Sequence, residues 1–248
     1  MTERPDLNYR VPKVVITALE GNDAKAIYER VPEALRVGTR YDEETEAVVG
    51  STNLLAVGVD QVVNSLYGGT WRTLNLADLS LPEVMEFARG KHYIDSRSLV
   101  ARSLRDSFEK NNALLRRVYE LAEEKEGSIK GPFMVEGFDY VSDGSKSYGV
   151  ALATFMPDFK VIQNERLDGI NNGKKFNEVD ELGLPLFTKD GTRTWYARNE
   201  GLSRLFLDRG LGLDSGSGNL ANSNDNGRVV LRASEAGSPQ NLQGVETK

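Results

Sequence analysis

Arg198-Asn199-Glu200-Gly201-Leu202-Ser203-Arg204-Leu205-Phe206-Leu207-Asp208-Arg209-Gly210-Leu211-Gly212-Leu213-Asp214 interleaves leucines with small and polar residues. Leu205, Leu207, Leu211 and Leu213 share one parity, broken only by Arg209, while Phe206, Asp208, Gly210, Gly212 and Asp214 hold the other. Alternation with period two predicts an extended segment whose leucines face a core. The opposite face is odd for a strand, because glycine loses the most backbone entropy on ordering and aspartate competes for its own backbone. A face selected for stability would carry Thr, Val, Tyr or Lys.

Residues 199–227 contain six Gly, five Asn, four Ser and three Asp. On composition alone a mobile loop or low-complexity linker is the simpler reading, but the leucine register argues for a strand whose outer face answers to something besides stability. The interleaved residue types share a coding property. Replacement of one or both adenines in an Asn codon (AAY) yields Asp, Ser or Gly, and a Tyr codon (TAY) yields Phe. The outward residues are what adenine-directed mutation of an Asn- and Tyr-rich template leaves behind, whereas leucine codons can escape it.

The rest of the chain narrows the choices. Its 248 residues suffice for a substantial core. Lys and Arg number 31 against 37 Asp and Glu, a formal charge of −6 that gives no electrostatic reason to expect nucleic acid. With no cysteine there is no disulfide framework, thiol nucleophile or thiolate metal site. A lone His92 leaves little material for imidazole catalysis or a His-cluster metal site; beside Lys91 and Tyr93 it reads as a surface or cap residue. Met1-Thr2-Glu3-Arg4-Pro5-Asp6 is not followed by an apolar run, and no stretch is long enough to cross a bilayer. The expectation is a cytoplasmic protein without membrane insertion, unless a partner exports or tethers it.

Along the chain, residues 1–8 read as a flexible arm and 9–233 as one domain with an N-terminal elaboration. Residues 234–248 read as a flexible tail. A strand is expected over Arg10 to Leu19, and a helix over Ala24 to Arg30 capped by Asn22 or Asp23, with Pro32 restarting it before Leu35. Ala47 to Val59 reads as one or two strands, and Tyr67-Gly68-Gly69-Thr70 as a turn. Pro82 starts a helix that runs to Gly90, and Asp95 or Ser96 opens a longer one to Gly127, with Asn111-Asn112 as a possible break. Phe133 to Val141 and Tyr148 to Ile162 read as strands about an Asp143-Gly144 turn, followed by Thr192 to Asn199 and Arg228 to Arg232.

The opening segment, together with its close Leu220-Ala221-Asn222-Ser223-Asn224-Asp225-Asn226-Gly227-Arg228-Val229-Val230-Leu231, resembles the C-terminal variable region of proteins diversified by diversity-generating retroelements. It looks most like the variable proteins described from archaea. In that family a reverse transcriptase copies a template with errors at adenines, and the copy replaces the variable repeat. The resemblance implies an α+β chain with a C-type lectin fold of the subtype related to formylglycine-generating enzymes, helices packed on twisted antiparallel sheets, and a variable region near the C-terminus at about 199–227. It implies a ligand-binding protein whose partner is a protein or other surface molecule, without cofactor or metal and without catalysis. Carried over by position, the variable residues are Asn199, Gly201, Ser203, Phe206, Asp208, Gly210, Gly212, Asp214, Gly216 and Gly218, on a scaffold of Leu202, Leu205, Leu207, Leu211, Leu213 and Leu220. Phe206 would be the apolar anchor, and Asp208 and Asp214 would favour a basic or hydroxyl-rich partner.

Rival classes are an enzyme, a calcium-dependent binder on the same fold, and a structural protein with a low-complexity Gly/Asn segment. The related formylglycine-generating enzymes depend on cysteines absent here, and no carboxylate pair stands out from surface charge. Asn222 to Gly227 mimics the first half of a calcium loop, but the twelfth position falls on Ala233 where a bidentate Glu is required. An Asx-rich turn accounts for it. Gly210-Leu211-Gly212 with Gly216 has the wrong spacing for a dinucleotide fingerprint.

Overall fold

A computed structural model describes residues 14–153 and 156–233, so the expected arm and tail lie outside the described residues. The helices are α1 (Asn22–Arg30), α2 (Asn53–Tyr67), α3 (Pro82–Ala88) and α4 (Asn112–Glu126). The strands are β1 (Ile16–Ala18), β2 (Arg40–Asp42), β3 (Ala47–Val49), β4 (Trp71–Thr73), β5 (Ile94–Ala101), β6 (Phe133–Glu136), β7 (Tyr140–Ser142), β8 (Val150–Leu152), β9 (Lys160–Gln163), β10 (Lys175–Val179), β11 (Pro185–Phe187), β12 (Arg193–Ala197), β13 (Leu202–Leu207), β14 (Leu213–Ser215) and β15 (Val230–Ala233). The chain is α+β. Its main sheet has eight strands in the order β11-β10-β12-β14-β13-β5-β6-β9, antiparallel except for β12 against β14. A second sheet, β1-β15-β4, sets the last described strand between the first and the fourth.

Three sequence expectations fail, two of them for an identifiable reason. Ala47 to Val59 is a strand only as far as Val49. The Thr52 hydroxyl then accepts the Leu55 amide at 3.0 Å and caps α2, so the β-branched run continues as helix. Every residue from Asn53 to Val59 is buried, and a helix end buried all round lacks the one-sided stripe that identifies helices. At Gly58 a Cβ would lie 2.7 Å from Val31 Cγ1, so only glycine lets the segment before the 3₁₀ turn Glu33–Leu35 rest on α2. The second failure is Asp95 or Ser96 as a helix start. These residues lie in β5, and the helix begins at Asn112, where a break was expected. Strand β5 is covered on both faces, so its burial shows no alternation to read. Asn22 and Asp23 also lie inside α1, with Gly21 at its N-cap.

Successive residues of β5 show how the molecule is layered. Leu99 and Ala101 belong to a core formed with α1, α2 and α4, whereas Val100 belongs to a second core with Trp195, Phe176, Leu205, Leu207 and Leu213. The two cores meet the main sheet from opposite sides. Strand β15 contributes to both, Leu231 to the first and Val230 to the second. Asp78 ties it to β4: Arg72 of β4 reaches this carboxylate at 2.5 Å, and Arg232 of β15 pairs with it too. Burial alone would raise the Asp78 carboxyl, but the two guanidiniums outweigh it and hold it below the ordinary value.

Asn53 joins α2 to the sheet. Its amide donates to the carbonyls of Ser96 and Ser98 at 3.0 and 3.3 Å, and its Oδ1 accepts the Tyr140 hydroxyl at 2.9 Å. Truncation would leave three buried polar groups without these partners. Asn53→Ala is expected to cost on the order of 3 kcal/mol in urea unfolding, while Ser65→Ala on the exposed side of the same helix changes stability by less than about 0.5 kcal/mol.

Candidate binding face

Strand register resolves the alternating segment into two rows. On one side Trp195, Leu213, Leu207 and Ile94 follow one another across β12, β14, β13 and β5, all buried in the second core. On the other side the next row reads Tyr196, Asp214, Phe206 and Asp95. Tyr196 is 40% exposed, Phe206 and Asp214 are half-buried, and Asp95 is buried. Leu202, Leu205, Leu207, Leu211, Leu213 and Leu220 are all buried; parity predicts this for Leu205, Leu207, Leu211 and Leu213, whereas Leu202 and Leu220, of the other parity, lie in the first core.

The segment is not one strand, however. A turn separates β13 from β14: Asp208 exchanges backbone bonds with Gly212 and Leu211, and its Oδ1 accepts the Gly212 amide at 2.8 Å. Leu211 sits there at φ +67°, an uncommon backbone conformation for leucine, while its side chain stays in the second core. Asp208 is therefore a turn-former as well as a half-exposed carboxylate.

Phe206 rests on a buried ion pair. The Arg204 guanidinium lies 4.4 Å from the Phe206 ring centre, and Tyr93 meets that ring edge-on at 5.7 Å. Beneath them Arg204 Nη1 bonds both Asp95 oxygens at 3.0 Å. Desolvation raises the Asp95 carboxyl to about 6 against the opposing pull of Arg204. Asp214 is also raised, chiefly by desolvation and also by the nearby Asp208 charge, although its Oδ1 accepts the Gly216 amide at 2.7 Å. A β-bulge between Arg204 and Phe206 seats this cluster, with the Ser96 hydroxyl donating to the Leu205 carbonyl at 2.8 Å.

The ten candidate positions divide. Phe206, Asp208 and Asp214 join Tyr196 on or beside the solvent-side row, Gly210 and Gly216 are exposed, and Asn199 is exposed in the β12–β13 loop. Four others do not present a side chain to solvent, which corrects the expectation of one outward face. Ser203 is 0% exposed: it shares the parity of Leu205 and Leu207, and its hydroxyl meets Ser215 Oγ at 2.9 Å and accepts Arg102 Nη1 at 2.8 Å. Gly201 is buried at φ +69°, where a Cβ would collide with the Asp106 carboxylate. At Gly212 a Cβ would stand 2.8 Å from the Thr194 carbonyl, and at Gly218 it would strike the Arg198 guanidinium. These glycines serve close packing, a cause that a codon pattern does not distinguish from diversification.

Sequence reasoning missed Tyr196, Tyr93, Arg204 and Asp95 as parts of the face. Tyr196 carried a signal, since Trp195 and Tyr196 alternate in β12, but Asp95 and Tyr93 arrive by long-range pairing. The rival sites are occupied by structural bonds. Asp225 of the calcium-like turn is held by Arg40 at 2.5 Å, and among the described residues no group of three acidic, His or Cys side chains is arranged to hold a metal ion. A polar cleft of about 380 Å³ gathers Asp60, Glu136, Asp139 and Asp158, but Asp60 pairs with Arg97 and Glu136 accepts the Ser98 hydroxyl at 2.6 Å. His92 stacks on Phe87 with ring centres 5.1 Å apart, and desolvation lowers its pKa.

Compared with protein-family models, curated proteins and solved structures, the chain matches none. Two outcomes test the face. Gly210→Asn and Asp214→Asn should leave Tm within about 2 °C of the parent, whereas Gly201→Ser and Ser203→Asn should each lower it by roughly 6–12 °C, corresponding to about 3 kcal/mol in a chain of this size. Between about pH 4 and 6 Asp95 binds a proton in the folded chain but not in the unfolded one, so its contribution to stability falls as pH rises through that window. The stability of the parent relative to Asp95→Asn should therefore decline by on the order of 2 kcal/mol from pH 4 to pH 7, measured by urea titration at each pH.

Proposed function

We propose that the protein is a ligand binder whose face on β12, β13 and β14 is diversified by adenine-directed retrohoming, carried on a C-type lectin scaffold of the kind found in retroelement variable proteins. The observation that carries this reading is the two-row register. Tyr196, Asp214 and Phe206 stand together on the solvent side, backed across the sheet by Trp195, Leu213 and Leu207 in the core. Substitutions on such a face change recognition at small cost to folding, because exposed positions are tolerant and core positions are not. Two aromatic rings beside two carboxylates suit a partner that offers a basic side chain. The diversified set in this reading is Asn199, Phe206, Asp208, Gly210, Asp214 and Gly216.

The binding class is favoured over an enzyme because the polar groups around the face are engaged in holding it. Arg204 is committed to Asp95, Asp208 to the turn, and Arg198 to Asp106 at 2.7 Å. The decisive experiment is to sequence the gene's surroundings. A near-copy of about codons 199–231 that differs only at adenines, beside a reverse transcriptase gene, is the expected finding; a locus lacking both overturns the proposal. In a peptide array read at neutral pH, Phe206→Ala should weaken retention of lysine- and arginine-rich sequences at least tenfold, a loss of about 1.4 kcal/mol.

A further inference from the structure

The face on β12–β14 leaves unexplained a basic pocket elsewhere in the molecule, between helix α4 and the β7–β8 hairpin. It encloses about 320 Å³, within the range of small-molecule sites. Its floor is apolar: Ala113 and Leu114 from the helix face Val150 and Leu152 from the hairpin. The two alanines on its walls, Ala113 and Ala151, leave the volume that larger side chains would fill.

The rim has the opposite sign to the chain. Lys110, Arg116, Arg117 and Lys146 meet a single carboxylate, Glu120, in a protein of formal charge −6. Arg117 is neutralised by Glu120 at 3.0 Å and Glu124 at 3.7 Å. Lys110, Arg116 and Lys146 have no carboxylate within ion-pair distance among the described residues. Cations gathered round a low-dielectric recess raise the local concentration of anions, and the acidity of the remaining surface disfavours competing sites.

One wall of the pocket is fixed in place. The Tyr148 hydroxyl donates to Asn111 Oδ1 at 2.8 Å and accepts the Leu220 amide at 3.4 Å, tying the hairpin to the start of α4 and to the segment before β15. A recess held open in this way has less ordering entropy to lose when a ligand enters. We infer that this pocket binds a small organic anion, with an aromatic body on the Leu114–Val150 floor and a phosphate or carboxylate head among Lys110, Arg116 and Lys146. The site is separate from the β12–β14 face and does not depend on the role proposed for it.

The test uses the full-length protein and 1-anilinonaphthalene-8-sulfonate as probe at low ionic strength and neutral pH. Saturable one-to-one fluorescence enhancement is expected, weakened at least tenfold in Lys110→Glu/Lys146→Glu and in Ala151→Phe, with circular dichroism checking that each variant is folded. Competition by 1-naphthyl phosphate against 1-naphthoate distinguishes the head group. Should the variants fold poorly, the parent alone suffices: titration with 1-naphthyl phosphate should shift the Ala113 and Ala151 methyl resonances before any others. Absence of saturable binding, affinity unchanged by both variants, or methyl shifts clustered elsewhere would overturn the assignment.

Discussion

The Asp106 carboxylate, sealed from water, fixes where the β12–β13 connection can run. It accepts the Leu202 amide at 2.8 Å, the Arg198 guanidinium at 2.7 Å, the Asn111 amide at 2.7 Å and the Phe108 amide at 2.9 Å. A buried carboxylate with this many donors leaves its neighbours little freedom, because any donor that moves away strands a charge in a dry site. Leu202 is thereby set in the first core, and the parity of β13 follows from that starting point: Leu205 and Leu207 into the second core, Arg204 and Phe206 to the other side. The close approach of the carboxylate to Gly201 is part of the same arrangement, since the amide of Leu202 reaches Asp106 only where the preceding residue has no side chain.

From that anchor the face is built in layers of decreasing burial. Asp95 and Arg204 form a buried pair, the Tyr93 and Phe206 rings cover its guanidinium, and Asp214 and Tyr196 extend the row towards water. Neutralising charge beneath an apolar lid keeps the outer positions from having to satisfy inner ones. The arrangement separates what holds the sheet together from what it presents, except at Phe206, whose ring shields the Arg204 guanidinium. Exchange at that position is therefore the one most apt to change stability along with the surface.

The sheet half of this architecture was legible because its leucines alternate where one face is buried and the other is not. Period two told strand from loop over Leu202 to Ser215 despite a composition dominated by turn residues. It did not reveal the turn at Asp208 to Gly212, because that turn returns Leu213 to the same core side as Leu207, and the odd count of five intervening residues keeps the two leucines on one parity. Strand β5 and the first half of helix α2 were illegible for one shared reason: β5 lies between the two cores and Asn53 to Val59 are sunk in the first, and a segment buried on every side carries no period. Ser203, Gly201, Gly212 and Gly218 were assigned to display by their position in the pattern that the resemblance carries over, and a glycine required by Asp106 or Arg198 is spelled like any other glycine.

The placement of β15 makes both cores depend on the reading frame of the segment before it. This strand is the centre of the β1-β15-β4 sheet, feeds Leu231 and Val230 into separate cores, and brings Arg232 to Asp78. It lies immediately downstream of residues 199–227, so a reading-frame slip anywhere in that stretch would replace it. Such a product would leave β1 and β4 unpaired and both cores open at once, and long-range closure of this kind is late to form and costly to lose. Side-chain changes on the outer row leave this closure intact, whereas a shifted frame exposes apolar strand edges and delivers the chain to the proteases that clear unfolded proteins.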